Sequence, residues 1–493
     1  MLISGEFGKQ EKLNGIWTVS IVTGQLHQLR EDAFQANASP DGLQIAYIDS
    51  KRPEIWLMGN NGENPSRLLA AEKGTSFGHH GFGHLQFSPD GKRLIYGKYR
   101  EGSDVSAIEA FDLKDSHTTT VFTARDLTNF CLTPDGRIIY DRPEAPPNHS
   151  YRNFWEVKTD PKTGKATGSP FRLTNWAGFE SFETFNLSAN GKRFAFTKVH
   201  WESDVYLTEL KKNAIGLQPP RRLTLDERWD GDAIWSNDSQ SIYFASSRKG
   251  KFDIFRQGIH EITAQEAVTG PEDETSPQLS PGGSWLLYLA SPRMRDGSPA
   301  KGCRLMRMPV EGGPSQTVFN LGQPDQDTFG FCCPAQSGKP CVLSETDPAK
   351  EQIVFSAFEP ATAHKQEIAR IAREPEYGFS WDLSPDGSRI AYCRNEMDSL
   401  KINVLELASG ATREIPVKGW VQCIFLTWSA DGKGWFAGSN LGPMLYIAAS
   451  GEAHFLQRTL LSYTSARPSP DGRYLAYTQT TADSNAWMID NLP

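Results

Sequence analysis

The chain has few of the features that mark a membrane protein or a nucleic-acid-binding protein. No apolar run approaches the roughly 18 residues of a membrane-spanning helix, and residues 1–12 lack the basic and apolar regions of a signal peptide. The 51 lysines and arginines form no block and are outnumbered by 59 acidic residues, so nucleic-acid binding is not predicted. We expect a cytoplasmic location for the chain as given, or an extracytoplasmic one if a membrane segment precedes it.

Cysteine is also sparse, at seven residues in 493, which fits a reducing compartment better than a disulfide-rich fold. Only Cys332, Cys333 and Cys341 cluster in the sequence. They could form one disulfide or half of a metal site, but no matching Cys/His pair follows. Ordinary buried or free thiols are therefore the favoured interpretation, and neither a metal nor a cofactor is predicted.

What the sequence does contain is a repeated turn of the type Ser-Pro-Asp-Gly. The strongest copies begin at Ser39, Ser88, Thr133, Ser384 and Ser469, and weaker ones at Ser188, Ser236, Ser280, Cys333 and Ser429. Successive copies are 40 to 55 residues apart, a period typical of propeller blades with variable insertions.

Each copy is followed by the pattern of an antiparallel meander. In the turn, proline presets φ, aspartate can bond nearby backbone groups and glycine accepts positive φ, so no metal is needed to explain the aspartate. An apolar strand such as Ile45-Ala46-Tyr47 comes next, then a strand with an aromatic residue such as Ile55-Trp56. A fourth strand follows in several copies, as at Arg172-Leu173-Thr174 and Arg222-Leu223-Thr224. With no competing amphipathic helix, the pattern predicts an all-β chain of four-stranded antiparallel blades.

Together, these turn and strand motifs resemble the WD40-like (PD40) repeats of the TolB-type β-propeller family over essentially the whole chain. Segments such as 173–179, 381–387 and 483–488 are also similar to the C-terminal propeller regions of some bacterial kinase or winged-helix regulators. This resemblance implies a sensory or interaction module with a protein or peptide partner. The chain contains neither effector domain, so an upstream kinase or winged-helix domain is a candidate partner.

The number of copies predicts two propeller modules, because ten turns and a partial N-terminal copy exceed the usual 4–8 blades of one ring. Seven copies follow residue 176. We therefore expect partial or strand-sharing blades in residues 1–176 and a seven-bladed propeller in residues 177–493. The segment 486–489 should then help to close the second ring.

The loops between blades supply the candidate binding residues. Connections from an outer strand to the next inner strand all emerge on one face, and two consecutive ones are acidic. The predicted ligand-binding residues are Asp226, Glu227, Asp230, Asp232, Glu272 and Glu274. Such a rim could attract a cation or a basic peptide, although nearby arginines such as Arg228 could neutralise it.

Candidate catalytic residues are scarce. The segment Gly74-Thr75-Ser76-Phe77-Gly78 matches the spacing of a nucleophile elbow but lacks the strand and helix that the elbow needs, so no catalytic residue is predicted. His79, His80 and His84 share a glycine-rich loop. The favoured function is a non-enzymatic β-propeller that binds a protein, peptide or small ligand on its loop face in a bacterial regulatory system. The alternative is a metal-dependent propeller enzyme acting on a saccharide, similar to oligogalacturonate lyases.

Overall fold

The structure, a computed structural model, consists of antiparallel β-sheets. The residues that it describes contain no helix, which confirms the predicted all-β class. Accordingly, this part of the chain includes no helix that is long and apolar enough to cross a membrane. The described residues are 2–7, 13–77, 85–100, 103, 105–125, 127, 129–144, 152–160, 163–176, 181–211, 216–226, 228–292, 302–322, 329–347, 349, 351–373, 379–395, 399–420, 423–438, 443–458 and 463–492.

The chain divides into two compact units. Unit 1 comprises residues 1–200 and 483–493, and unit 2 comprises residues 201–482. This division replaces the predicted boundary between residues 176 and 177. The physical reason is that two 17-residue strands, Arg193–Glu209 and Tyr474–Asp490, each run through the division without a turn.

Unit 1 contains five sheets in its described residues. Four of them have the strand orders β1-β2-β3, β4-β5-β6-β7, β12-β11-β10-β8 with β9 also paired with β10, and β13-β14-β15-β16. The fifth has the order β17-β18-β41 and uses the first part of Arg193–Glu209 and the last part of Tyr474–Asp490. Its strands are β1 (Leu2–Phe7), β2 (Leu13–Val19), β3 (Leu26–Glu31), β4 (Ala33–Ala38), β5 (Gln44–Asp49), β6 (Glu54–Gly59), β7 (Ser66–Ala70), β8 (Thr75–Phe77), β9 (Leu85–Phe87), β10 (Arg93–Arg100), β11 (Val105–Asp112), β12 (Thr118–Arg125), β13 (Phe130–Leu132), β14 (Ile138–Pro143), β15 (Arg152–Thr159), β16 (Ala166–Arg172), β17 (Ser181–Leu187) and the start of β18 (Arg193–Glu209).

Unit 2 contains six four-stranded sheets in its described residues, which we number as blades 1 to 6: β20 to β23, β24 to β27, β28 to β31, β32 to β35, β36 to β39, and a closing blade β40-β41-β18-β19. Its strands are β19 (Arg221–Arg222), β20 (Asp230–Trp235), β21 (Ser241–Ser246), β22 (Asp253–Gly258), β23 (Gln265–Val268), β24 (Asp273–Leu279), β25 (Trp285–Ser291), β26 (Cys303–Pro309), β27 (Gln316–Gly322), β28 (Gly330–Cys332), β29 (Cys341–Asp347), β30 (Gln352–Glu359), β31 (His364–Ala372), β32 (Phe379–Leu383), β33 (Arg389–Asn395), β34 (Leu400–Glu406), β35 (Thr412–Val417), β36 (Phe425–Trp428), β37 (Gly434–Gly438), β38 (Pro443–Ala448), β39 (Ala453–Arg458), β40 (Tyr463–Pro468) and the start of β41 (Tyr474–Asp490).

Blade 6 closes unit 2 into a propeller ring. Its first two strands come from the end of the unit and its last two from the start, and six buried apolar clusters lie between consecutive blades. One of these clusters joins Val205 of blade 6 to Trp235 of blade 1, whose indole nitrogen also donates to the Arg467 carbonyl at 2.9 Å. Apolar burial between sheets, at about 25 cal/mol per Å², is the main stabilising contribution in such a ring.

Where the sequence predicts a seven-bladed ring over residues 177–493, the described residues of unit 2 form six blades over residues 201–482. The repeat that begins at Ser188 is split, since its first two strands lie in unit 1 and its last two complete blade 6. Residues 486–489 form a strand, as predicted, but they belong to unit 1, where Ile489 packs on the cluster around Phe194 and Phe196.

The repeated turn behaves as its sequence predicts. At Ser384, the hydroxyl donates to Asp386 Oδ1 at 2.6 Å and accepts the Arg389 N–H at 2.9 Å, while the Ser388 N–H donates to the same Asp386 oxygen at 3.1 Å. Gly387 has φ 68°, a left-handed conformation that glycine adopts at no steric cost. Turn chemistry therefore accounts for the repeated aspartates.

The cysteine cluster differs from the prediction. Cys333 and Cys341 form a disulfide, whereas Cys332 is a free and buried thiol. Strands β28 and β29 pair antiparallel with Cys332 opposite Val342, and this register places the neighbouring Cys333 and Cys341 next to each other. The favoured interpretation of three ordinary thiols was therefore wrong for two of them.

Candidate functional site

The acidic loops of unit 2 lie at one end of its blades. In blade 1, Asp230 at the start of β20 is paired with Ser246 at the end of β21, and Ser246 is paired with Asp253 at the start of β22. Strand direction alternates in a meander, so these positions and the loop after Ser246 share one end of the sheet. We call the carboxylates at this end the acidic face of unit 2: Glu202, Asp204, Asp226, Asp230, Asp253, Glu272 and Glu274.

Two predicted residues of the acidic face share one arginine. Arg248 Nη2 lies 2.7 Å from Asp226 Oδ2 and 3.2 Å from Asp230 Oδ1. The Asp230 side chain is fully buried, whereas that of Asp226 is 30% exposed. Burial raises the pKa of Asp230 to about 7, and the nearby Asp226 charge acts in the same direction.

A second cluster likewise places two carboxylates around one cation. Lys251 contacts both Asp253 and Glu274, with its Nζ 2.8 Å from Glu274 Oε2. Both carboxylates are almost completely buried. Burial raises the pKa of Glu274 to about 7, against the opposing effect of Lys251.

A third cluster lies in blade 6, outside the predicted set. Arg222 contacts Glu202 and also lies 2.7 Å from Asp204 Oδ1. Burial raises the pKa of Asp204 to about 6. These residues were not predicted because Asp204 and Arg222 belong to strand motifs, whereas binding residues were predicted only in the loops between blades.

Among the other predicted residues, Glu272 pairs with Arg304. Asp232 faces away from the clusters, at a bulge of β20 with φ 52°, and accepts the Ser276 N–H at 3.2 Å. Glu227 lies outside the described residues, as do His79, His80 and His84. Asp230 and Glu274 are therefore buried instead of forming an exposed rim, and they pair with Arg248 and Lys251 respectively.

Stability should depend on pH through these clusters. The folded-state pKa values of Asp230 and Glu274 are raised to about 7, above the roughly 4 of an unfolded carboxyl, so the folded state binds more protons between these values. The free energy of unfolding should therefore fall as pH rises from about 5 to 8, lowering Tm by roughly 5 °C in calorimetry. Asp230→Asn should flatten this slope, and a Tm that rises over the same range would contradict the assignment.

The central channel of unit 2 is the second candidate site. Two cavities of about 180 and 200 Å³ lie along it and share Ile234, Gln278 and Arg467. Each of these residues stands two positions before a turn motif, and Asp232 lines the larger cavity. Gln278 and Arg467 are polar at this position, and this was the overlooked sequence signal for the channel.

The channel contains an ion pair in which the Asp382 side chain is buried and that of Arg467 is 29% exposed. Arg467 Nη1 lies 2.8 Å from Asp382 Oδ1, while Asp382 Oδ2 accepts the Trp428 N–H at 2.9 Å. The Cys332 thiol lies 3.1 Å from Asp382 Oδ1, and burial raises its pKa to about 12. Cys332 is therefore a neutral thiol near neutral pH and lacks the thiolate character of a nucleophile.

The described residues do not assemble a metal or serine-hydrolase site. No group of three or more His, Cys, Asp or Glu side chains among them could hold a metal ion. Ser76 lies within strand β8, paired with Tyr99 of β10, and not on a turn between a strand and a helix. Within this part of the chain, the arrangement offers charged clusters for binding.

Comparison with known proteins leaves the function open. No protein-family profile matches the chain. An uncharacterised protein of Agrobacterium fabrum is 25% identical over 271 residues, covering 50% of this chain and 82% of that protein.

Similar solved structures include TolB from Acinetobacter baumannii, at 12% identity and a TM-score of 0.21, covering 83% of this chain and 78% of that one. They also include the tricorn protease, at 12% identity and a TM-score of 0.32, covering 90% of this chain. The chain spans 41% of the length of the tricorn protease. The β-propeller assignment itself rests on the sheet topology of the chain.

Proposed function

We propose that this chain is a non-enzymatic propeller module that binds a cationic segment of a protein or peptide at the acidic face of unit 2. The observation that supports this most directly is the composition of its three clusters. Each places two carboxylates around one cation, namely Arg222, Arg248 or Lys251. Each cluster thus has one carboxylate more than it has cations.

The surplus of carboxylates gives the acidic face its chemistry. In the described ion pairs, seven carboxylates share four cations, the fourth being Arg304 beside Glu272. The pKa of the buried carboxyl is raised to about 6 at Asp204 and to about 7 at Asp230 and Glu274, so an incoming lysine or arginine would stabilise the cluster that it joins by favouring the ionised form of that carboxyl. The side chains of Glu202, Asp226 and Glu272 are 25%, 30% and 19% exposed, so they are the members that a partner can reach.

A binding role also fits the regulatory context implied by the sequence resemblance. A propeller that recruits a basic segment would serve as the sensory or scaffold part of a regulatory system. Electrostatic attraction would accelerate encounter, and specificity would depend on the spacing of the basic residues in the partner.

Binding of a fluorescent heptalysine peptide to the whole protein tests the proposal. Saturable binding should weaken about tenfold when salt is raised from roughly 50 to 300 mM, because exposed charges are screened. The double variant Asp226→Asn/Glu272→Gln should weaken binding by a further factor of about ten. Fluorescence anisotropy measures both effects.

The matched control is Glu414→Gln, which neutralises an exposed carboxylate paired with Lys401 on the outer strands of blade 4. This variant should bind heptalysine as the unmodified protein does. Equal affinity for heptaglutamate, or unchanged binding in the double variant, would show that the acidic face is not the binding surface.

A further inference from the structure

One sheet of unit 1 ends on an exposed strand. Residues 483–490 of β41 lie next to β18, and on their other side no strand pairs with them among the described residues. We call this segment the edge strand. Residues 483–488 are all exposed, including Trp487 at 50% and Met488 at 54%. The sequence repeat predicts a fourth strand at this position.

A complete sheet of the same unit shows how such an edge is covered. In β15, the Phe154 N–H donates to Thr174 Oγ1 at 2.9 Å, and the Phe154 carbonyl accepts the Leu173 N–H at 2.9 Å. The Thr174 hydroxyl donates to Asn153 Oδ1 at 2.8 Å. Arg172 of the fourth strand lies opposite Trp155.

Blade 6 of unit 2 repeats this arrangement with different residues. The Val205 N–H donates to Thr224 Oγ1 at 3.0 Å, and the Val205 carbonyl accepts the Leu223 N–H at 2.8 Å. The Thr224 hydroxyl lies 3.2 Å from Asp204 Oδ1, and Arg222 is opposite Tyr206. In both sheets, an Arg-Leu-Thr fourth strand pairs with a third strand of the pattern Asx, apolar, aromatic.

The edge strand carries the same third-strand pattern, Asn485-Ala486-Trp487, but lacks a described fourth strand. Asn485 instead donates to its neighbour Asp483 at 2.8 Å. We propose that the edge strand binds an extended Arg-x-Thr segment of another protein as the fourth strand of this sheet. The partner's threonine would bond Asn485 and the Ala486 N–H, and its arginine would lie opposite Trp487.

The surroundings of Trp487 suit this partner. The Lys198 ammonium lies 4.7 Å from the ring centres of both Trp176 and Trp487, and cation–π contacts on both sides hold the exposed indole in place. Asp483 adds negative charge near the incoming arginine, whereas Asp490 already pairs with Arg193 at 3.1 Å. Main-chain hydrogen bonds supply affinity in such strand addition, while side chains supply specificity.

The probe is a fluorescein-labelled peptide of residues 169–175, Ser-Pro-Phe-Arg-Leu-Thr-Asn, titrated into the whole protein. We expect saturable binding that weakens about tenfold when the peptide carries Thr174→Val, since one hydrogen-bonding hydroxyl is lost. A peptide with Leu173→Pro should not bind, because it lacks the N–H that meets the Ala486 carbonyl.

On the protein, Ala486→Pro should abolish binding, whereas the matched Ala486→Ser, which keeps the N–H, should retain it within about twofold. Because a proline could disturb the strand, amide hydrogen exchange on the unmodified protein gives an independent readout. Saturating peptide should slow exchange at Ala486 at least tenfold.

Four results would overturn the proposal. The first three are no saturable binding up to about 1 mM peptide, equal binding of the Leu173→Pro peptide, and unchanged exchange at Ala486. A dimer in sedimentation that Ala486→Pro dissociates would assign the edge to a second copy of this chain, and thus also overturn it. Heptalysine binding at unit 2 is not expected to change in any of these variants, so the two proposals can fail separately.

Discussion

Replacing Arg467 by methionine is expected to lower the free energy of unfolding of unit 2 by about 3 kcal/mol, because it removes the cation that pairs with the buried Asp382 carboxylate. Asp382, only 3% exposed, would keep its bond from the Trp428 N–H but lose its cation. An uncompensated buried carboxylate is costly in a low-dielectric channel. Urea unfolding followed by tryptophan fluorescence measures the change.

The double variant Arg467→Met/Asp382→Leu separates charge from packing. With both charges gone and apolar side chains of similar size in their place, most of the lost stability should return. If Arg467→Met alone leaves the urea midpoint unchanged, the ion pair does not contribute to the stability of the channel. If the double variant is as unstable as the single one, the loss is due to packing instead.

Truncation after Arg473 is expected to abolish the folded form of unit 2. It removes all of β41, whose residues 474–482 lie in the middle of blade 6 between β40 and β18. Without this strand the ring cannot close, and the exposed sheet edges favour aggregation. Soluble yield and the loss of cooperative unfolding measure the effect.

Truncation after Ala482 is the matched control. It keeps every strand of blade 6 and removes only residues 483–493, which belong to unit 1. Residues 201–482 should then keep slow amide exchange, although unit 1 is damaged. Equal loss of protection in both truncated chains would contradict the division of β41 between the two units.

The turns and strands of the blades could be predicted because each depends on neighbouring residues. Ser384, Asp386 and Gly387 bond within one turn, so their spacing is enough to predict it. The same holds for the apolar run Ile390-Ala391-Tyr392, all of which lies in the core.

The assignment of strands to units could not be predicted from the same motifs. Phe194-Ala195-Phe196 is typical of a second strand and Val205-Tyr206 of a third, whichever ring each joins. The available signal was the lack of a turn, since no glycine, proline or asparagine lies between Phe196 and Val205. That absence is typical of one long strand, and β18 is one.

The acidic face was predictable only as a set of charges. Asp226 and Asp230 lie in one loop in the sequence, but their cation Arg248 follows a different strand, and Lys251 reaches Glu274 of the next blade. Pairing of this kind depends on how neighbouring sheets pack. Burial, which raises the pKa values of Asp230 and Glu274, likewise arises only in the assembled ring.

The position of β41 also has a consequence for biosynthesis. Residues 474–482 complete the ring of unit 2 and residues 483–490 extend a sheet of unit 1, yet both are made after nearly all of the other strands. At about 5–20 residues per second, a ribosome needs roughly 15–50 s to proceed from the end of β18 to the start of β41. During this time blade 6 lacks a central strand, so the nascent chain exposes open sheet edges on which chaperones can act.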